Sequence, residues 1–469
     1  MLVGCAEPSY DLVLLGGRVM DPETGLDSVL NIGVTDGRIA AVSAAALTGT
    51  TTLDVSGLVV APGFIDLHAH GQSPRDLALK ARDGVTTALE LEIGVYPVSE
   101  WYGTLEGRTA INFGASVSHI SARMAVFHPD VPVMHWPTQA EEAEALGPEP
   151  AGTNARASAA QREQLTGAVT RGLEEGGLGV GFGINYSPGA DQEEIATLFS
   201  VAAQNNAPVF VHTRGFGLGS IDEVIETAEA TGAALHIVHI GSSSMDALGD
   251  ALARVADARD RGLDVTTEVY PYTVASTRLE SAMFNPGWQE NLPIEIGDIE
   301  WVATGERLTP ETFDERRAEG GWILLYMMRD ENVDRAVAAD GVIIASDGVE
   351  FVDGKGHPRG AGTYARVLGH YVRERGVLPL MDALAKMTIL PARRLETVAQ
   401  VMGNKGRIHE GADADITVFD PATVIDRATF AEPTLPSGGI PYVLVGGTFV
   451  VRDGELVEGA LPGVGIRGR

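Results

Sequence analysis

Short apolar runs alternate with amphipathic stretches through the middle of this chain. Gly63–Leu67, Val85–Glu92, Ala110–Val117, Leu178–Ile184, Pro208–His212, Ala234–Ile240, Leu263–Tyr270 and Val342–Ser346 are rich in Val, Ile, Leu and Phe, and are short enough to be strands buried on both faces. Between them, Glu193–Gln204, Ile221–Thr231 and Ala247–Arg261 repeat apolar positions at helical spacing. Short strand–helix–strand units force parallel pairing, so eight strands with intervening helices predict an α/β fold, a (β/α)8 TIM-like barrel. Both ends of the chain read differently. Tyr10–Leu15, Arg18–Met20, Asn31–Val34 and Ile39–Val42 are short strands broken by Gly-Gly and Asp-Gly pairs, which signal hairpins. The same texture returns at Asp415–Phe419, Tyr442–Val445 and Phe449–Val451. The expectation is a small β-sandwich domain built from residues 1–60 and 403–469, with the barrel over 61–402. Two segments are too long for ordinary loops: one near 119–160, the other near 277–340 with Trp288, Trp301 and Trp322. Long segments on the rim of a barrel serve as lids or specificity walls.

The chemistry sits at the ends of the strands. His68 and His70 close the first, His212 the fifth, His239 the sixth and Asp347 the eighth. Barrel active sites lie at the C-terminal rim of the strands, where all five fall. Neutral imidazole and carboxylate suit zinc and similar divalent ions. The histidines of His68-Ala69-His70 are two apart, so on an extended chain they point the same way. Strand two adds Glu90 and Glu92 on one face, with Leu89 and Leu91 on the other. An unpaired carboxylate inside such a strand is costly, which predicts a metal or an arginine as partner. Glu92, nearer the rim, is read as a ligand, and Glu90 as paired to arginine. A lysine at the end of strand four could bridge two ions after carboxylation. The four lysines (Lys80, Lys355, Lys386 and Lys405) all lie elsewhere. The cofactor expectation is therefore Zn2+, as one or two divalent ions.

Composition narrows the partners. A net charge of −30 argues against nucleic acid and anionic membrane surfaces. No apolar run is long enough to span a bilayer. A small molecule is the expected partner, with homo-oligomerisation left open. Cys5 is the one cysteine, which excludes an internal disulfide or a thiolate cluster. Leu2-Val3-Gly4-Cys5 resembles the end of a bacterial lipoprotein signal, which would place the protein in the cell envelope or periplasm. The alternative reading is an ordinary N-terminus and a cytoplasmic location.

Taken together, Pro62-Gly63-Phe64-Ile65-Asp66 running into His68-Ala69-His70, then His212, His239, Asp347 and Gly411-Ala412-Asp413-Ala414-Asp415, resemble the amidohydrolase superfamily. Gly84-Val85-Thr86-Thr87, Asn185-Tyr186, His212-Thr213-Arg214, Tyr270-Pro271-Tyr272, Ser346-Asp347-Gly348 and His357-Pro358-Arg359 resemble its D-aminoacylase (N-acyl-D-amino-acid deacylase) group. The resemblance implies hydrolysis of an N-acyl-D-amino acid to a carboxylate and the free D-amino acid. A metal would lower the pKa of water to about 7, and Asp347 would act as general base and then acid. Arg359, with Arg214 as second candidate, would grip the substrate carboxylate. Tyr270 or Tyr272 would donate to the oxyanion, and Ser242, Ser243 or Ser244 would contact substrate. Cyclic-amide hydrolysis of the hydantoinase or dihydroorotase type, or dipeptide cleavage, is the alternative on the same site. The chain departs from the group's pattern at three places. Ile93 stands where a metal-ligating cysteine is usual, Gly241 where a lysine holds the substrate carboxylate, and no acidic residue follows His212-Thr213-Arg214.

Overall fold

A computed structural model describes residues 9–131, 133–135, 145–147 and 150–469. Eight parallel strands form a barrel: Phe64–Asp66, Val85–Val95, Asn112–Ser118, Val180–Gly183, Val209–His212, Leu235–Ile237, Val265–Val269 and Val342–Ile344. All are buried except for Thr266, which is partly exposed. That burial explains why their sequences read as unbroken apolar runs rather than as alternating ones. The helices Gln192–Gln204, Leu218–Thr231 and Leu248–Asp260 fall where the periodicity predicts.

Side chains and single backbone bonds close the barrel between its first and last strands. The Asp66 carboxylate accepts from the Ser346 backbone N–H (3.0 Å), the Ser346 hydroxyl (2.6 Å) and Lys80 Nζ (2.8 Å). Beyond the strand, the Ala69 N–H bonds to Leu89 O and the His70 N–H to Gly348 O, each at 2.9 Å. His68-Ala69-His70 thereby stays tied on both sides.

Residues from both chain ends build one sheet of nine strands. Ser9–Asp21 through Val59–Pro62 pair with Ile416–Phe419, Tyr442–Val445, Thr448–Arg452 and Glu455–Leu456 over a separate apolar core that includes Leu14, Ile32, Val60, Ile416 and Leu444. Gly16-Gly17 does not end a strand, as a hairpin reading of that pair implies. It sits at a register shift inside the single strand Ser9–Asp21. The long segment after strand seven folds into its own four-stranded antiparallel sheet: Val274–Arg278, Trp322–Tyr326, Ile299–Trp301 and Glu306–Arg307. Its core holds Phe284, Trp288, Trp301 and Phe313. The segment after strand three contributes the helices His119–Phe127 and Ala151–Asn154. Much of the stretch between them, and Leu2–Cys5, lies outside the described residues. Among the described residues no helix is long and apolar enough to cross a membrane.

Candidate metal centre

The six side chains read from sequence as ligands converge on one point of the barrel rim. Glu92 stands at the middle. Its Oε2 lies 2.9 Å from His68 Nε2 and 3.0 Å from His70 Nε2. Its Oε1 lies 2.6 Å from His212 Nδ1 and 3.2 Å from His239 Nε2. Asp347 Oδ1 completes the first cluster, 3.4 Å from His68 Nε2 and 3.5 Å from His70 Nε2. One carboxylate therefore faces two nitrogen pairs, one with each oxygen.

Local backbone geometry sets this up. Strand two carries a register shift between Glu90 and Val95, with Gly94 at φ 67°. A side chain at Gly94 would collide with the Ser116 carbonyl and the Ser118 nitrogen, so the strand bends there through a residue without Cβ. His239 (φ 32°) and Asp347 (φ 49°) are themselves in left-handed conformations, which non-glycine residues adopt at a cost. Both strands end just before them.

The donor set fits a divalent ion. The Nε2 atoms of His68 and His70 approach to 3.0 Å, and His212 Nδ1 and His239 Nε2 to 3.1 Å. Around an ion held at about 2.0–2.1 Å, tetrahedral nitrogen ligands sit roughly 3.3 Å apart. Two overlapping groups, His68–His70–Glu92 and Glu92–His212–His239, each bring their ligand atoms within 4.8 Å of one another.

Behind the ligands lies a layer of carboxylates, Glu268 and Glu90, of which the sequence reading named Glu90 alone. His68 Nδ1 is 2.5 Å from Glu268 Oε1, and Glu268 Oε2 is 3.1 Å from His236 Nε2. His70 Nδ1 is 2.8 Å from Glu90 Oε2, which also meets His135 Nε2 at 2.8 Å. A carboxylate on the far nitrogen fixes an imidazole's tautomer and raises its basicity as a ligand. Glu90 is therefore paired with histidines, not with an arginine. His135 and His236, which have no special place in the sequence pattern, belong to this layer. The one sequence signal for Glu268 is the charge inside Val265–Val269, the same kind of signal that marks Glu90 and Glu92.

These contacts set the charge states. Burial disfavours ionisation of Glu268 and Glu90, yet His68 and His236 in one case, and His70 and His135 in the other, hold each near 2. Burial likewise opposes a charged His68, but Asp347, Glu92 and Glu268 push it up to about 10. Against burial, Arg359 and His68 hold Asp347 well below the usual carboxylate range.

A cavity of about 870 Å³ opens over the cluster, lined by His70, Glu92, His212, His239 and Asp347 at its floor and by the strand-seven insertion above. The two arginines named from sequence for the substrate carboxylate each meet a carboxylate of the protein. Arg359 is buried against Asp347 (Nη2–Oδ1 2.9 Å) and stacks over Tyr270, with its Cζ 4.5 Å from the ring centre. Arg214 turns to Glu223 (Nε–Oε1 3.0 Å). Neither is among the cavity's lining residues, though Arg359 Nε and Nη1 and Arg214 Nη2 are buried without hydrogen-bond partners among the described residues. Tyr270 does line it, with a buried hydroxyl that has no partner. Tyr272 instead packs on His357 and under Arg366. Ser243 orients His239 (Oγ–Nδ1 3.1 Å), and Ser242 faces the cavity.

A parallel barrel with imidazoles and acidic groups at the ends of strands one, two, five, six and eight defines a metal-dependent hydrolase class, and the chain belongs to the amidohydrolase family, whose model matches residues 59–450. Its relatives are specific. The chain is 33% identical over 491 residues to an N-acyl-D-glutamate deacylase of Alcaligenes xylosoxydans xylosoxydans, covering 95% of this chain and 94% of that one. It is 29% identical over 496 residues to a D-aminoacylase of the same organism, with 95% of each covered. Among solved structures it resembles the N-acyl-D-glutamate deacylase of Bordetella bronchiseptica complexed with zinc and a phosphonate inhibitor (TM-score 0.82, 29% identity, 98% of this chain and 100% of that one).

Proposed function

We propose that this protein hydrolyses the amide of N-acyl-D-amino acids, releasing a carboxylate and a free D-amino acid. The observation that carries the reading is Glu92, whose two oxygens each face a pair of histidine nitrogens at the floor of an open cavity. The relatives' activities supply the substrate class.

His68, His70, His212, His239, Glu92 and Asp347 would hold one or two divalent ions, zinc being the ion named for the Bordetella relative. A zinc ion in such a site polarises a carbonyl and lowers the pKa of water toward neutrality. The chain's own groups do the rest. Arg359 keeps Asp347 ionised and fixes its orientation at 2.9 Å. Asp347 is thus ready to take a proton from the attacking water and return it to the departing amine. Tyr270, which burial pushes up to about 12, keeps its proton at neutral pH and offers it to the oxyanion. Glu268 and Glu90 hold the rings of His68 and His70. The strand-seven insertion forms the wall above the floor, with Ser276, Thr277 and Trp322 among its lining residues.

Amine release from paired N-acetyl-D- and N-acetyl-L-amino acids by zinc-loaded protein tests the reading, with Asp347→Asn as the blank. Turnover of the D series that disappears in the variant is the expected result. Turnover confined to the L series, or none with metal bound, overturns it.

A further inference from the structure

The turn after strand seven, Tyr270-Pro271-Tyr272, stands out in the sequence, yet only Tyr270 lines the cavity. Tyr272 is buried outside it, and Pro271 has no N–H to donate. A turn that must hold a phenol in place is therefore short of backbone bonds. One runs within it, from the Tyr272 N–H to Tyr270 O at 3.0 Å. A second fixed point is the Pro271 carbonyl, which accepts from Arg366 Nε at 2.8 Å and from the Tyr371 hydroxyl at 3.2 Å.

Both donors belong to one continuous helical stretch, Arg359–Arg366 running into Val367–Glu374. Arg359 and Arg366 are seven residues apart. Seven residues make two turns, so the two arginines share a face about 10 Å apart along the axis. Each lies against one ring of the turn. Arg359 Cζ is 4.5 Å from the ring centre of Tyr270, and Arg366 Cζ is 4.7 Å from that of Tyr272. One helix face thus cradles the whole turn. The helix is itself fixed to the barrel: the Asp83 carboxylate accepts from the Tyr364 and Ala365 N–H groups at 2.8 and 3.0 Å, and the Tyr364 ring stacks on Phe64 of strand one at 5.5 Å.

Arg366 has one more partner. Its Nη1 is 3.1 Å from Asp426 Oδ2, and Asp426 lies beyond the strand Ile416–Phe419, where Ile425 and Gly438 bond to each other through their backbones. Neither Arg366, Tyr371 nor Asp426 lines the cavity. Any effect they have on chemistry passes through the turn.

We propose that Arg366, with Tyr371, is a positioning residue for the reaction: by fixing the Pro271 carbonyl and the Tyr272 ring it sets where the Tyr270 hydroxyl points. The proposal rests on the deacylase reading and on the oxyanion role of Tyr270, and it deepens them. Through Asp426, the C-terminal part of the chain helps to set the active site without reaching the substrate.

The test measures kcat, KM and zinc content for wild type, Arg366→Met, Arg366→Lys, Tyr371→Phe, Tyr270→Phe and the double variant Arg366→Met/Tyr270→Phe, on the N-acyl-D-amino acid that wild type turns over best. Arg366→Met is expected to lower kcat roughly ten- to hundred-fold, with KM and zinc content held within a few-fold. Tyr270→Phe should lower it about a hundred-fold. The double variant should be no slower than Tyr270→Phe alone, because a displaced turn matters only while it carries a phenol. Arg366→Lys should recover part of the loss, and Tyr371→Phe should cost about five-fold in kcat. An unchanged kcat in Arg366→Met or in Tyr270→Phe, losses that multiply in the double variant, or a change confined to KM overturns the proposal. Should Arg366→Met not fold, Tyr371→Phe with and without Tyr270→Phe decides by the same comparison. If wild type turns over no N-acyl-D-amino acid, the deacylase reading fails on its own. Crystal structures of zinc-loaded wild type and Arg366→Met then decide the positioning role, and a Tyr270 hydroxyl in the same place in both overturns it.

Discussion

Replacing Glu268 by glutamine separates holding a ligand from being one. The Glu268 carboxylate is buried and never reaches the ligand cluster. It accepts from His68 Nδ1 at 2.5 Å and meets His236 Nε2 at 3.1 Å. Glutamine keeps the shape but removes the charge, and one of its two ends becomes an N–H donor. The bond to His68 then weakens from charge-assisted to neutral, and His68 loses basicity and orientation. Loss of such a carboxylate behind a ligating histidine lowers metal affinity about 10- to 100-fold, which corresponds to roughly 1.4–2.7 kcal/mol. Competition with a chromophoric chelator measures the dissociation constant, and activity at rising zinc measures recovery. The expected result is a weaker site whose kcat returns to near the wild-type value when zinc is saturating. Unchanged affinity, or a loss of kcat that excess zinc does not repair, would refute the reasoning and make Glu268 a participant in chemistry.

Three further outcomes follow from the same structure. Gly94→Ala should lower the thermal midpoint and metal stoichiometry together, because the left-handed conformation alone costs about 1–2 kcal/mol and the new methyl meets backbone atoms beside Glu92; an unchanged midpoint contradicts this. Glu194, held near 2 against burial by His119 and Arg123, gives stability that is full above its unfolded value near 4.5 and is lost as pH falls toward 2. Glu194→Gln should therefore be less stable than wild type at pH 7, by about 1–3 kcal/mol, with the gap narrowing steadily below pH 4.5 in denaturant titrations. Stripping zinc with a chelator should lower the thermal midpoint, since metal at a hundred times its dissociation constant stabilises the folded state by about 2.7 kcal/mol; a midpoint indifferent to zinc would mean that the cluster binds none.

By itself the sequence determined the barrel, the strand ends and the identity of the six clustered side chains. Those features are local: burial on both faces makes a strand uniformly apolar, and His68, His70, His212, His239 and Asp347 each follow such a run directly. Even Glu92 was legible, since a carboxylate inside an apolar strand demands a partner. Partners across the fold were not. Glu268 reaches His68 over 200 positions, and Glu90 meets His135 only because the segment after strand three returns to strand two. Arginines were the least predictable, because a long flexible cation goes to the nearest carboxylate, and only tertiary packing says which that is. Packing set Arg359 against Asp347 and Arg214 against Glu223.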